Sequence, residues 1–310
     1  MTKYRYNIGL NDRYTFGTEL EFTNIYLDNL SKIFRESSLP VKYALHHKSA
    51  VFLKYDEWYL DIDSTVTKRI NENFFGGELS SRILIDEEGA WKELKDICKI
   101  LKKAGASINE NCSNHIRINL SCIQNESYFF EVLTKLIILY EKEMEQFYMG
   151  DKYLIRKTAF DYAKLLSLYL IGYINEIDFS NPDYIFKFRT YKGINYFTRR
   201  DAINLQDYDK KKLIEFRYPN GSLNEKTIQN NINFTLKLID AIRREQFDPI
   251  ELSRKVSKLK DDDIIYRVLL EKTSQKDFEW LVNTISTSSE DVNDFVSQYE
   301  KVLSKDHKNN

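Results

Sequence analysis

The sequence predicts an α+β fold, and three patterns carry that expectation. Four short segments alternate apolar and polar residues with a period of two: FGTELEF at 16–22, EWYLDID at 57–63, HIRINL at 115–120 and LIEFRY at 213–218. Stretches between them repeat apolar residues at three- and four-residue intervals, as amphipathic helices do. After Pro249 the strand pattern stops, and only helix-like spacing continues to residue 310. Antiparallel-looking strands interleaved with helices that cover one face of a sheet make an α+β arrangement.

Taken in order, the first strand puts Glu19 and Glu21 on one side and Leu20 and Phe22 on the other. Residues 29–36 predict a short helix that stops before Pro40. In EWYLDID, Asp61 and Asp63 share a side. A helix over 87–104 carries Trp91, Leu94, Ile97, Cys98 and Leu101 on one face, and Gly105 is placed to end it. In the next strand Ile116, Ile118 and Leu120 alternate with His115, Arg117 and Asn119. Aromatic-rich helices over 127–145 and 159–173 are expected to be buried, and 187–197 returns to extended or loop structure. The last strand sets Glu215 and Arg217 opposite Ile214 and Phe216.

Pro219-Asn220-Gly221 is a turn signal, and Ser222 or Asn224 caps a helix running to Arg244. Beyond Pro249, Ser274–Asp277 and Ser288–Asp291 read as capping boxes. The sequence therefore divides into a main domain over 1–248 and a helical appendage over 249–310 whose tail frays from Lys305.

Composition narrows the function. The chain has 46 Lys+Arg and 47 Asp+Glu, a net charge of −1 at pH 7, which argues against a polybasic nucleic-acid binder. Its 21 Tyr and 19 Phe predict an aromatic core and aromatic cleft walls, with Trp58, Tyr59 and Tyr196 as candidates to line a pocket. Cys98, Cys112 and Cys122 make no CxxC pair, which suits a reducing compartment. No leader is visible, and the most hydrophobic stretch, near 165–174, is too short for a membrane span, so the chain reads as cytoplasmic. GxxxxGK[ST], GxGxxG and GxSxG are all missing, which disfavours P-loop, Rossmann and nucleophile-elbow chemistry.

A charged strand face usually meets water, so a single E-x-E segment means little. Here the same geometry recurs in four segments, and Glu78 follows two glycines in GGELSS. If these elements share a sheet, one face carries Glu19, Glu21, Asp63, Glu78, His115, Arg117, Glu215 and Arg217. That much negative charge in a cleft repels itself unless compensated, and hard divalent cations with oxygen ligands provide compensation. One histidine completes such a set, particularly for Mn²⁺. The arginines then read as clamps for phosphate or carboxylate. His46 and His47 show no ligand pattern and read as structural or surface residues.

FGTELEF, the W-x₄-DS of Trp58 to Ser64, GGELSS at 76–81, CSNHIRI at 112–118 and LIEFRYPNGSL at 213–223 occur in the order seen in the amidoligase family. These are carboxylate–amine ligases related to glutamine synthetase and gamma-glutamylcysteine synthetase, and the resemblance spans residues 14–245. It implies a glutamine-synthetase-like curved antiparallel sheet with helices on its back, around a site for ATP and Mg²⁺ or Mn²⁺. It also implies that Glu19, Glu21, Glu78, His115 and Glu215 bind metal, with His115 also close to the nucleotide phosphate. Arg217 faces phosphate, and Asp63 receives the amine. Phosphate-binding arginines are expected between the helical region and the last motif strand, with Arg189 the first choice, Arg200 the second, and Arg199 beside them.

Two positions depart from the pattern. Arg117 replaces the second histidine of the family's H-x-H strand, and Ser113 replaces a small, Gly-like residue. Arg117 cannot act as a neutral imidazole, but it can serve phosphate or an acidic substrate. The implied reaction is ATP-dependent amide formation through an acyl phosphate, between small-molecule or peptide carboxylates and amines. Two alternatives are a guanidino-kinase-like phosphotransferase and a catalytically decayed nucleotide- or peptide-binding module. In the second, the C-terminal helices would contact a protein partner.

Overall fold

The period-two segments become neighbouring strands of one sheet. The structure, a computed structural model, describes residues 10, 13–43, 56–150, 163–172, 174, 179, 190–191, 194–195, 197–259 and 273–309. The chain opens with β1 (Phe16–Tyr26) and α1 (Leu27–Glu36), then β2 (Val41–Tyr43), β3 (Trp58–Asp61), β4 (Lys68–Ile70) and β5 (Asn73–Ser80). There follow α2 (Glu88–Lys103), β6 (Asn114–Asn119), α3 (Glu126–Tyr148) and a single turn, α4 (Ser167–Leu170). A small hairpin of β7 (Thr190–Tyr191) and β8 (Ile194–Asn195) precedes β9 (Ile203–Asn204), α5 (Tyr208–Lys211) and β10 (Leu213–Phe216). The C-terminal part is α6 (Glu225–Arg243), α7 (Pro249–Val256), α8 (Gln275–Ile285) and α9 (Ser289–Asn309).

The sheet corrects the expected curved, all-antiparallel, glutamine-synthetase-like architecture. Its order is β2-β3-β5-β1-β6-β10-β9, with β4 paired to β5, and its ends do not meet. It is mixed, because β2 and β3 run parallel while its other pairs are antiparallel. It is neither closed nor strongly curled. Residues 44–57 separate β2 from β3, enough chain for the crossover that a parallel return needs, where a hairpin would force antiparallel pairing.

Register sets up the site. Glu19 lies opposite Ser80 on β5 and His115 on β6, Glu21 opposite Glu78, and Arg117 opposite Glu215. On the other face Leu20, Phe22, Leu79, Ile116, Ile118, Ile214 and Phe216 are buried in the core. Helix α1 packs on β1, β2, β3 and β5, while α6 packs on β6 and α2. Gly77 permits the tight passage of β5, since a Cβ there would meet the Asp61 carbonyl oxygen at 2.5 Å. Gly76 beside it has φ +78, the left-handed region that favours glycine.

The helices follow their sequence signals. The predicted face of α2 is buried, and Asn125 and Asn224 cap α3 and α6 by accepting from Tyr128 N and Lys226 N. Of the predicted helix over 159–173, only 163–172 lie within the described residues, and there the helix is confined to α4. Ser274 and Ser288 accept from the backbone N–H groups of Asp277 and Asp291, both at 3.2 Å. Helices α8 and α9 pack against α3 and α6, where Phe147, Phe234 and Phe295 form edge and tilted ring contacts with centroids 4.6–5.7 Å apart. Lys237 on α6 pairs with Asp291 on α9 at 2.9 Å, both buried. No helix among the described residues is long and apolar enough to cross a membrane.

Candidate active site

A cleft of about 520 Å³ opens on the polar face of the sheet. Glu19, Asp63, Glu78, His115, Arg117, Arg200, Glu215 and Arg217 all line it, joined by Arg199, Asn204, Gln206 and Asp207. Alternation along the strands and antiparallel register bring together side chains separated by some two hundred residues of chain. Glu19, His115 and Glu215 form one group in which ligand atoms lie within 4.8 Å of one another, and Glu21, Asp63 and Glu78 form a second. All five residues expected to bind metal thus fall into two adjacent clusters.

The first cluster is densely bonded. His115 Nδ1 lies 2.8 Å from Glu19 Oε2 and 3.8 Å from Glu215 Oε1. Arg117 Nη2 sits 2.6 Å from Glu19 Oε1 and 3.0 Å from Glu215 Oε1, and its Nε donates to Glu215 Oε1 at 3.1 Å. Asn204 and Arg217 donate to Glu215 Oε2 at 2.6 and 3.3 Å. Burial alone would push the Glu19 carboxyl up, but Arg117, His115 and Arg217 outweigh it and hold Glu19 below the usual range. Glu215 follows the same logic: burial raises it, Arg117 and His115 lower it further, and the net direction is down.

The second cluster makes no ion pair with a lysine or arginine among the described residues, and His115 Nε2 lies 4.0 Å from Glu21 Oε1. Glu21 accepts from Ser113 N and Ser113 Oγ, each at 2.7 Å. Asp63 lies just beyond β3 and is fixed by its own turn, accepting from Thr65 N at 2.7 Å and from the Thr65 hydroxyl. Burial raises the Glu21 carboxyl, His115 opposes this, and Asp63 adds to it, with a net upward shift. Glu78 is pushed well up by burial and by Glu19, Asp63 and Glu21, against a smaller pull from Arg117. Two buried carboxyls that resist ionisation, with Asp63 beside them, make a receptive place for a cation.

Arg199 and Arg200 occupy a turn held by Asp201, whose carboxylate accepts from Thr198 N and Thr198 Oγ1 at 2.7 and 3.0 Å. Both are exposed to the cleft and pair with no acid among the described residues. Arg189, Tyr196, His46 and His47 lie outside the described residues. Trp58 is fully buried with its indole N–H bonded to Glu93, so it does not line the cleft. A second hollow of about 490 Å³ shares Glu19, Arg117 and Leu213 with the cleft and adds Phe16 and Ile83.

Two residues take part in ways the sequence did not suggest. Ser113 touches Glu21 and also lies 2.9 Å from His115 Nε2, linking the two clusters. The sequence showed it only as a departure from a small, Gly-like residue two positions before the strand histidine. Asn204 sits in a two-residue strand, too short to show a period.

No curated protein matches the chain in sequence. Among solved structures, a bifunctional glutathione synthetase from Pasteurella multocida aligns with 96% of this chain at 13% identity and a TM-score of 0.42, a likeness too weak to carry an argument. The chain spans 47% of that protein's length. The model of the family described as "Putative amidoligase enzyme" matches residues 12–239, which take in every carboxylate of both clusters. By that match, over most of its length, the chain belongs to the amidoligase family of enzymes.

Proposed function

We propose that the cleft binds ATP with a divalent metal and joins a carboxylate to an amine. The observation that supports this most is the gathering of Glu19, Glu21, Asp63, Glu78, His115 and Glu215 into two adjacent groups beside uncommitted Arg199 and Arg200. The donor set suits a hard ion: carboxylate oxygens with a single imidazole, and Glu78 with no hydrogen bond or ion pair among the described residues. Mg²⁺, or Mn²⁺ in its place, would neutralise triphosphate oxygens when bound.

Arg217, Arg199 and Arg200 would hold the phosphates through their planar donor forks and stabilise charge on the group in transfer. A carboxylate oxygen of the donor attacks the γ-phosphorus and ADP leaves. The amine nitrogen then attacks the acyl carbon, the carbon–oxygen bond to phosphate breaks, and the nitrogen gives up a proton. Asp63 would either orient the ammonium or join Glu21 and Glu78 around an ion, and its place within 4.8 Å of both favours the second role. The more apolar second hollow gives room for an organic substrate next to Arg117.

The test is a panel of amino acids, dipeptides and polyamines with ATP and Mg²⁺, using ¹⁸O-labelled carboxylates. The expected result is ADP and phosphate released only when both partners are present, with label from the carboxylate in the phosphate. ATP binding without turnover across the panel would instead mark a binding module, and ADP with a stable phosphorylated product would mark a phosphotransferase.

A further inference from the structure

The two carboxylate groups of the cleft differ in one respect that bears on ion number. In the first, every carboxylate oxygen has a partner. Glu19 Oε1 and Glu215 Oε1 both meet Arg117, at 2.6 and 3.0 Å. Glu19 Oε2 meets His115 at 2.8 Å, and Glu215 Oε2 accepts from Asn204 and Arg217 at 2.6 and 3.3 Å. In the second, no lysine or arginine pairs with Glu21, Asp63 or Glu78 among the described residues. Glu21 and Asp63 are oriented by Ser113 and Thr65, which supply hydrogen bonds but no charge.

A divalent ion must approach carboxylate oxygens to about 2.0–2.6 Å. At Glu19 and Glu215 the Arg117 guanidinium already fills that approach. It cannot ligate a metal, having no acceptor, and it cannot lose its charge under ordinary conditions. An ion entering there would have to displace it or share the oxygens against like-charge repulsion. We propose that Arg117 stands in for an ion between Glu19 and Glu215, so that the cleft takes one divalent cation, at Glu21, Asp63 and Glu78. This rests on the reading of the cleft as a metal-dependent ligase site. The fixed guanidinium neutralises the first cluster whether or not metal is present, leaving the second as the exchangeable position.

The experiment is titration of the full chain with Mn²⁺ alone, by calorimetry and electron paramagnetic resonance, with circular dichroism to verify folding. The wild type should bind one ion with an isolated six-line spectrum. Glu21→Gln should weaken that binding by more than about a hundredfold, whereas Glu19→Gln, which removes no direct ligand, should change it by about tenfold or less, at the low end of the roughly 10–100-fold effect of outer groups. Arg117→Ala should bind two ions with a spin-coupled spectrum. Arg117→Gln serves if that variant does not fold, and Arg117→Lys should stay at one ion.

Two ions in the wild type, equal losses in Glu19→Gln and Glu21→Gln, or one ion in the folded charge-removed variant would overturn the inference. Each of these would leave a metal-dependent site standing. No Mn²⁺ bound by the wild type at millimolar concentration would overturn the metal-dependent reading itself.

Discussion

Glu141 on α3 is fully buried behind the site strand, where Leu166 N and Ser167 N donate to its two oxygens at 2.8 and 2.6 Å and the Tyr218 hydroxyl donates at 2.5 Å. Tyr218 follows Arg217 and stacks on Tyr148 with ring centroids 5.6 Å apart, so this carboxyl ties α3 and α4 to the end of β10. Burial pushes Glu141 up from 4.5 to about 7, even though hydrogen bonds from Ser167, Tyr218 and Leu166 pull it down. A group with a raised folded-state value binds more protons when folded than when unfolded, so its contribution is full below about pH 4.5 and is lost as pH climbs to about 7. At 1.36 kcal/mol per pH unit, the loss across that window is about 3 kcal/mol. Glu141→Gln removes the titration. Urea unfolding of both proteins from pH 4.5 to 8 should show the variant gaining about 3 kcal/mol relative to wild type as pH rises. Taking the difference cancels the site carboxylates, which titrate in both proteins. A difference that stays flat with pH, or falls, would refute the reasoning.

Three further outcomes are expected. Lys237→Met leaves Asp291 buried without its cation and should cost about 3–5 kcal/mol in chemical unfolding; a loss under 1 kcal/mol would show that the C-terminal helices do not depend on the pair. Gly77→Ala drives a methyl group against the Asp61 carbonyl and should cost about 1–3 kcal/mol, with weaker Mn²⁺ binding because Asp63 and Glu78 flank the contact; unchanged melting would contradict the close approach. Because burial and mutual repulsion raise Glu21 and Glu78, an entering ion displaces protons. Mn²⁺ affinity should therefore rise from pH 5.5 to 7.5, with proton release visible in buffers of different ionisation heat, and a pH-independent affinity would count against those shifts.

Much of the site was legible because period-two alternation assigns faces before any pairing is known. Glu19, Glu21, His115, Glu215 and Arg217 needed only that rule and the core demand of Leu20, Phe22, Ile116, Ile214 and Phe216. Asp63 was placed correctly at the cleft but for the wrong local reason: the strand ends at Asp61, and Thr65 aims the carboxylate, so a turn rather than a strand positions it. The parallel β2–β3 pair was not legible, because direction depends on the path of the long connection and not on the three residues of β2. Ser113 was visible as a departure, but its role was not, because that role lies in two hydrogen bonds made across the sheet, which a linear pattern does not encode. Arg117 was visible as a departure, but only register with Glu19 and Glu215 showed that it bridges them.

The strands that bear the acids are neighbours in space, yet they run from Glu19 to Glu215 along the chain. The Arg117 bridge between Glu19 and Glu215 therefore closes only when β10 joins β6, whereas Glu21 and Glu78 meet as soon as β1 pairs with β5. Metal held by Glu21, Asp63 and Glu78 would clasp that earlier pair and should retard its separation in the completed protein. Ion capture is then a gauge of whether β1 and β5 are joined.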